Sequence, residues 1–173
     1  MKNTWYICVL IFLVVSCSES PNKVKKPFEQ GNVKEPLIAA NQNAVRQEDE
    51  DINLYIKRQK LNATRTETGL RYQITKEGQG QLIKAKNKVT LDYETFSIDG
   101  NLLYSSKETG VKMLEVEKNN EVQALDEILK LMKNGAEAHM VIPSHLAYGI
   151  AGDGNKIRQR IPIVMKIKVL NVK

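Results

Sequence analysis

The sequence predicts an α+β domain, an antiparallel sheet wrapped around one short helix, preceded by a helical arm. Three observations predict it. From Gly69 onward, apolar residues alternate with polar ones in several short runs, the period of half-buried strands. One stretch of helical period, Val122 to Met132, interrupts them. Nine of the ten glycines lie at Gly69 or beyond, while three of the five prolines (Pro21, Pro27, Pro36) precede Leu37. Composition agrees with one ordinary globular domain carrying an extension: 173 residues, 42% apolar and 27% charged. Collagenous, acidic disordered and polytopic membrane chains are excluded. The net charge is +6, but 26 Lys and Arg are scattered among 20 Asp and Glu, so no nucleic-acid interface is expected.

The elements follow in chain order. Lys2 precedes an apolar run from Trp5 to Val15, the charged and hydrophobic regions of an export signal. As a helix this run reaches about 16 Å, roughly half a hydrocarbon core, so it is a poor permanent span. Val14-Val15-Ser16-Cys17 resembles a bacterial lipobox, which implies cleavage of residues 1–16 and a lipid on the Cys17 thiol. Acyl chains on one residue hold a domain to a bilayer because each buried CH₂ adds about 0.8 kcal/mol. The expected place is therefore the cell envelope, with membrane attachment through Cys17 and the domain facing the periplasm. Cys8 and Cys17 are the two cysteines, so the domain has no disulfide, thiol nucleophile or Cys-based metal site, and processing also removes Trp5, the one tryptophan. No cofactor and no metal are expected.

Residues 17–36 read as a tether, because Asn22-Lys23-Val24-Lys25-Lys26 and the prolines around it carry too little apolar surface to fold. Residues 37–68 read as the arm. From Leu37 to Leu61 there is no Gly or Pro, and Ile38, Val45, Ile52, Tyr55 and Ile56 recur at helical spacing around Glu48-Asp49-Glu50-Asp51. Asn41 and Glu48 would occupy alternate seam positions of a coiled coil, which favours a monomer. The arm then either lies on the domain or spaces it from the membrane, and is expected to supply little core. In residues 69–173, Leu70, Tyr72 and Ile74 alternate with polar neighbours, as do Val89, Leu91 and Tyr93. Asp99-Gly100 marks a hairpin turn. On the helix, Val122, Leu125, Ile128, Leu129 and Met132 share a face, and Gly135 closes the turn. Strands return at Ala136–Ile142 and Ile163–Val169.

An ordered set of pieces in residues 69–173 resembles the FK506-binding family of peptidyl-prolyl isomerases. They are Val89-Thr90-Leu91-Asp92-Tyr93, Asp99 to Ser106, Met132-Lys133-Asn134-Gly135, and Ile142-Pro143-Ser144-His145-Leu146-Ala147-Tyr148-Gly149. The last is the most specific. The Cys17 motif and the arm additionally resemble lipid-anchored members from Bacteroidetes-type bacteria, including an isomerase associated with gliding motility. The resemblance implies isomerase activity on X-Pro segments of exported client proteins. Its pocket, carried over position by position, comprises Tyr93, Leu103, Tyr104, Val122, Leu125, Tyr148, Ile157 and Met165, with Tyr148 as hydroxyl donor to the substrate carbonyl preceding proline. A further wall is expected near Met113 or Leu114.

The chain departs from the family pattern at four places. Leu103-Tyr104 stands where Phe-Asp is usual, Leu125 where Trp is usual, Met165 where Phe is usual, and Ile157-Arg158-Gln159 where Ile-Pro-Pro is usual. These exchanges soften rigid aromatic walls and remove one carboxylate. They imply weaker catalysis, and they leave a second reading: an FK506-binding-like module acting as a chaperone or partner-binding lipoprotein.

Other features carry less. His139 and His145 read as surface residues, His139 lying opposite the inward set Ala138, Met140 and Ile142. Gly149 to Lys156 has Asn155 between Gly and Lys and no following helix, so it reads as a flexible loop over the pocket and not as a phosphate loop. Ser105-Ser106 has no nearby His base and reads as structural, and Lys84, Lys86 and Lys88 as a solvated face.

Overall fold

A computed structural model describes residues 34–118 and 122–173. The expected signal peptide, the Cys17 lipidation site and nearly all of the tether lie outside the described residues. The helical arm is α1 (Lys34–Gln59). It is followed by β1 (Thr64–Arg65), β2 (Arg71–Lys76), β3 (Gln79–Leu82), β4 (Lys88–Ser97) and β5 (Leu102–Ser105). Then come α2 (Ser106–Thr109), β6 (Lys112–Glu115), α3 (Gln123–Leu129), β7 (Lys133–Asn134), β8 (Glu137–Ile142), a 3₁₀ turn (Ser144–Leu146) and β9 (Ile163–Val172).

Among the described residues the main sheet runs β1-β2-β8-β9-β4-β5, with β6 also paired to β4, and every pairing is antiparallel. β4 is the hub. One edge of it pairs with β9 along nearly its whole length; the other meets β6 at Lys88–Leu91 and β5 at Glu94–Phe96. The β4–β5 turn uses Gly100 at φ 93°, a left-handed conformation that glycine adopts without a Cβ clash.

The predicted alternation sorts the two faces of the sheet. Val89 and Leu91 of β4, Ala138, Met140 and Ile142 of β8, and Ile163, Met165, Ile167 and Val169 of β9 point to one core. The short helix α3 fills it with Ala124, Leu125, Ile128 and Leu129, all 0% exposed. The periodic stretch 122–132 extends past the helix, because its last residues close a turn in which the amides of Leu131 and Met132 bond the carbonyls of Ile128 and Leu129.

The opposite face departs from expectation. Val141 and Val164 sit on it yet are 1% and 0% exposed, because α1 lies across the sheet and covers them with Ile52 and Tyr55. Phe96, Ile98, Ile56 and Leu61 pack around this second cluster. The arm therefore supplies core, and of the two arrangements left open it lies on the domain. Polar contacts fix it there. Buried Arg71 donates to Asp49 on α1 and to the carbonyl of Gly69. Burial alone would raise the Asp49 carboxyl, but hydrogen bonding and charge from Arg71, with Arg65 beside it, outweigh that and hold it below its usual value. His139, expected on the surface, is half-buried. Its Nε2 lies 3.4 Å from the Tyr55 hydroxyl, and burial, with Lys166 nearby, lowers its pKa. His145 is exposed, with Nε2–H donating to the Thr68 carbonyl at 3.0 Å.

Candidate active site

A cleft of about 650 Å³ opens between the inner face of β4 and β5, the start of α3 and the loop that follows the 3₁₀ turn. Five of the eight expected pocket residues line it: Tyr93, Tyr104, Val122, Tyr148 and Met165. Each arrives from a different place. Alternation turns Tyr93 inward with Thr95, Met165 lies on β9 opposite Thr95, and Val122 caps α3. Tyr148 follows the Ser144–Leu146 turn.

The other three are placed elsewhere. Leu125 is 0% exposed inside the core and does not line the cleft. Leu103 and Ile157 line a separate groove of about 1040 Å³ between α1 and the loops, together with Val45, Ile98, Ile150 and Ile161. Neither Met113 nor Leu114 forms a cleft wall. The pairing of β6 with β4 leaves Met113 79% exposed and puts Leu114 in the core, while Lys112 takes the cleft edge.

The loop over the cleft is tied down through a residue that the sequence reading passed over, Asp153. Its carboxylate accepts the Tyr104 hydroxyl and the backbone N–H groups of Asn155 and Ile157, the latter two at 2.8 Å. Burial would raise this carboxyl, but those hydrogen bonds outweigh it and bring its pKa below the usual carboxylate value. The same bond to Asp153 raises the Tyr104 phenol. Lys156 adds a clasp, with Nζ donating to the Leu103 carbonyl at 2.6 Å and lying 5.0 Å from the Tyr104 ring centroid. At Gly152, φ 71°, a Cβ would meet the Ile157 carbonyl oxygen at 2.5 Å, so the loop's close packing requires glycine there. The signal available in the sequence was the Asp153-Gly154-Asn155 turn, since Asp bonds the backbone two residues on.

Hydroxyl directions follow from the partners. Thr109 donates its hydroxyl proton to the Ser105 carbonyl at 2.9 Å, so the 2.7 Å contact to Tyr93 runs from the Tyr93 hydroxyl to Thr109. Tyr104 donates to Asp153. Both protons are thus committed to protein oxygens, and neither tyrosine takes over the donor role assigned to Tyr148. Ser106 is structural, as expected: its hydroxyl donates to Asp92 and accepts the Tyr93 amide at 3.3 Å.

Residues 79–170, more than half of the chain, match the model of the family described as FKBP-type peptidyl-prolyl cis-trans isomerase. The chain belongs to that family. A probable FKBP-type isomerase, FkpA, of Neisseria meningitidis is 36% identical over 107 residues, covering 62% of this chain and 39% of that protein. The FKBP-type 22 kDa isomerase of Escherichia coli is 30% identical over 107 residues, covering 62% of this chain and 52% of the relative. The chain thus spans about half the length of the curated relatives it matches or less. Among solved structures, FkpA from Escherichia coli superposes with a TM-score of 0.65 at 26% identity, covering 86% of this chain and 74% of that one. The family is an FKBP-type one, as the motifs from Val89 to Gly149 implied.

Proposed function

We propose that the protein catalyses cis–trans isomerisation of X-Pro bonds in exported client proteins, held at the cell envelope by a lipid on Cys17. The observation that carries the catalytic reading is the convergence of Tyr93, Tyr104, Val122, Tyr148 and Met165 on one cleft in a chain of this family. Rotation about an X-Pro bond faces a barrier of about 18–20 kcal/mol because twisting destroys amide resonance. No bond breaks and no proton moves, so the chain needs neither base nor nucleophile for this step. Val122, Met165 and Ala147 provide an apolar wall for the proline ring. In such surroundings the charge-separated planar amide loses more solvation than the less polar twisted one. Tyr148 supplies the donor that holds the twisted carbonyl.

The test compares catalysed and uncatalysed isomerisation of short X-Pro peptides, the latter taking tens to hundreds of seconds. Acceleration is expected, with Tyr148→Phe lowering kcat/KM several-fold in a chain that still folds cooperatively. No acceleration from folded protein across several X residues favours the second reading, a partner-binding or chaperone module. The loss of the usual Trp at Leu125 and the tied-up Tyr104 are the observations on its side.

Lipid anchoring rests on the Cys17 motif. Cys17→Ser is expected to move the chain from the membrane fraction to the soluble envelope fraction, and unchanged fractionation would reject the anchor. The resemblance of the Cys17 motif and arm to a gliding-motility isomerase supports surface-motility components as clients, which co-purification from a motile cell tests.

A further inference from the structure

α1 is tied at three levels to the β4–β5 turn and to the chain on either side of Tyr148. Near its start, Arg160 donates to the Asn41 side chain at 2.9 Å. Near its end, Arg58 donates to the Ile98 carbonyl at 3.1 Å in the β4–β5 turn. Between them, the Glu48 carboxylate accepts both the backbone N–H of Ser144 and its hydroxyl, the latter at 2.8 Å. Ser144 is 7% exposed and opens the 3₁₀ turn. Its own carbonyl accepts the amides of Ala147 at 3.1 Å and Gly149 at 2.8 Å, the two residues that flank Tyr148. A bonded path therefore runs from a carboxylate on the arm, through both ends of one buried serine, to the backbone on either side of the cleft tyrosine.

We infer that Glu48 is a positioning residue for the cleft, fixing Ser144 and through it the turn that presents Tyr148. The arm thereby does more than cover the back of the sheet, because it completes the geometry of the cleft on the other side. A carboxylate suits this place since it accepts both Ser144 protons at once, and charge-assisted bonds of this kind are about twice as strong as neutral ones. Glutamine can keep both contacts, its carbonyl accepting the amide and its NH₂ donating to the hydroxyl oxygen, whereas alanine keeps neither. The functional part of the inference rests on the isomerase reading, but the positioning itself is measurable without activity.

The experiment uses the full chain with Glu48→Ala, Glu48→Gln and Ser144→Ala, and Glu50→Ala as an arm control. Amide hydrogen exchange is read at Leu146, Ala147 and Gly149 against core amides of α3 and β8. In Glu48→Ala the loop amides are expected to exchange about tenfold faster with core amides unchanged, Glu48→Gln to restore most of the protection, and Glu50→Ala to change nothing. Isomerisation of an X-Pro peptide should fall several-fold in Glu48→Ala and recover in Glu48→Gln. Unchanged loop exchange in Glu48→Ala overturns the inference, as does a uniform rise across the domain or a Glu48→Gln no better than alanine. If Glu48→Ala does not fold, Ser144→Ala decides, since it removes one of the two bonds and should raise the same loop exchange alone. A wild-type chain that shows no isomerisation sinks the functional reading while leaving the exchange result to decide the positioning.

Discussion

Tyr104 and Asp153 meet across 49 residues of chain, the Tyr104 hydroxyl donating to the Asp153 carboxylate. In this chain the strand brings the phenol and the loop brings the carboxylate. The prediction at this scale is a coupled pair. Tyr104→Phe and Asp153→Asn should each lower kcat/KM about three- to tenfold, chiefly through KM, and the double substitution should cost no more than either alone. Additive effects would show two independent residues. The pH dependence has a fixed sign. The folded pKa of Asp153 lies below its unfolded value of about 3.9, so its contribution is complete above that value and is lost as the pH falls through the folded one. Loop protection should therefore be flat at neutral pH and decline only in acid. None of this pairing could be read from residues 104 and 153 separately, because a tyrosine and an aspartate become partners only when a strand and a loop are brought together.

α1 shows how an element gains its meaning from what it packs on. Its sequence fixes a helix: no Gly or Pro from Leu37 to Leu61, with apolar residues at helical spacing. The same spacing does not say which residues will be buried. Ile52 is 1% exposed while Ile38 and Val45 are 55% and 66% exposed, because only the second half of the helix crosses the sheet. Ile52→Ala should therefore cost about 2–4 kcal/mol by chemical denaturation, whereas Val45→Ala should cost less than about 0.5 kcal/mol. Equal effects would show that the arm is not seated as described. The strands were more legible. Alternation placed β2, β4, β8 and β9 and their inward residues, since a period of two admits one choice of face once one side is apolar.

At the scale of the whole molecule the sheet has two covered faces, α3 on one and α1 on the other. Deleting everything before Gly69 removes α1 and β1 and uncovers Val141, Val164, Phe96 and the Arg71 guanidinium. A thermal melt of the remaining chain should fall by more than about 10 °C relative to the full chain, and an unchanged melt would show that the arm contributes nothing. The FKBP-type family, the α+β class and the inward faces of the strands were legible before folding was considered. Those are carried by local period and by short motifs in a set order. Three features came from the folded chain alone: the arm covers the sheet, Asp153 ties the loop to Tyr104, and Glu48 holds Ser144. Each of these is a contact between residues far apart in the chain, and packing, not local pattern, selects such partners.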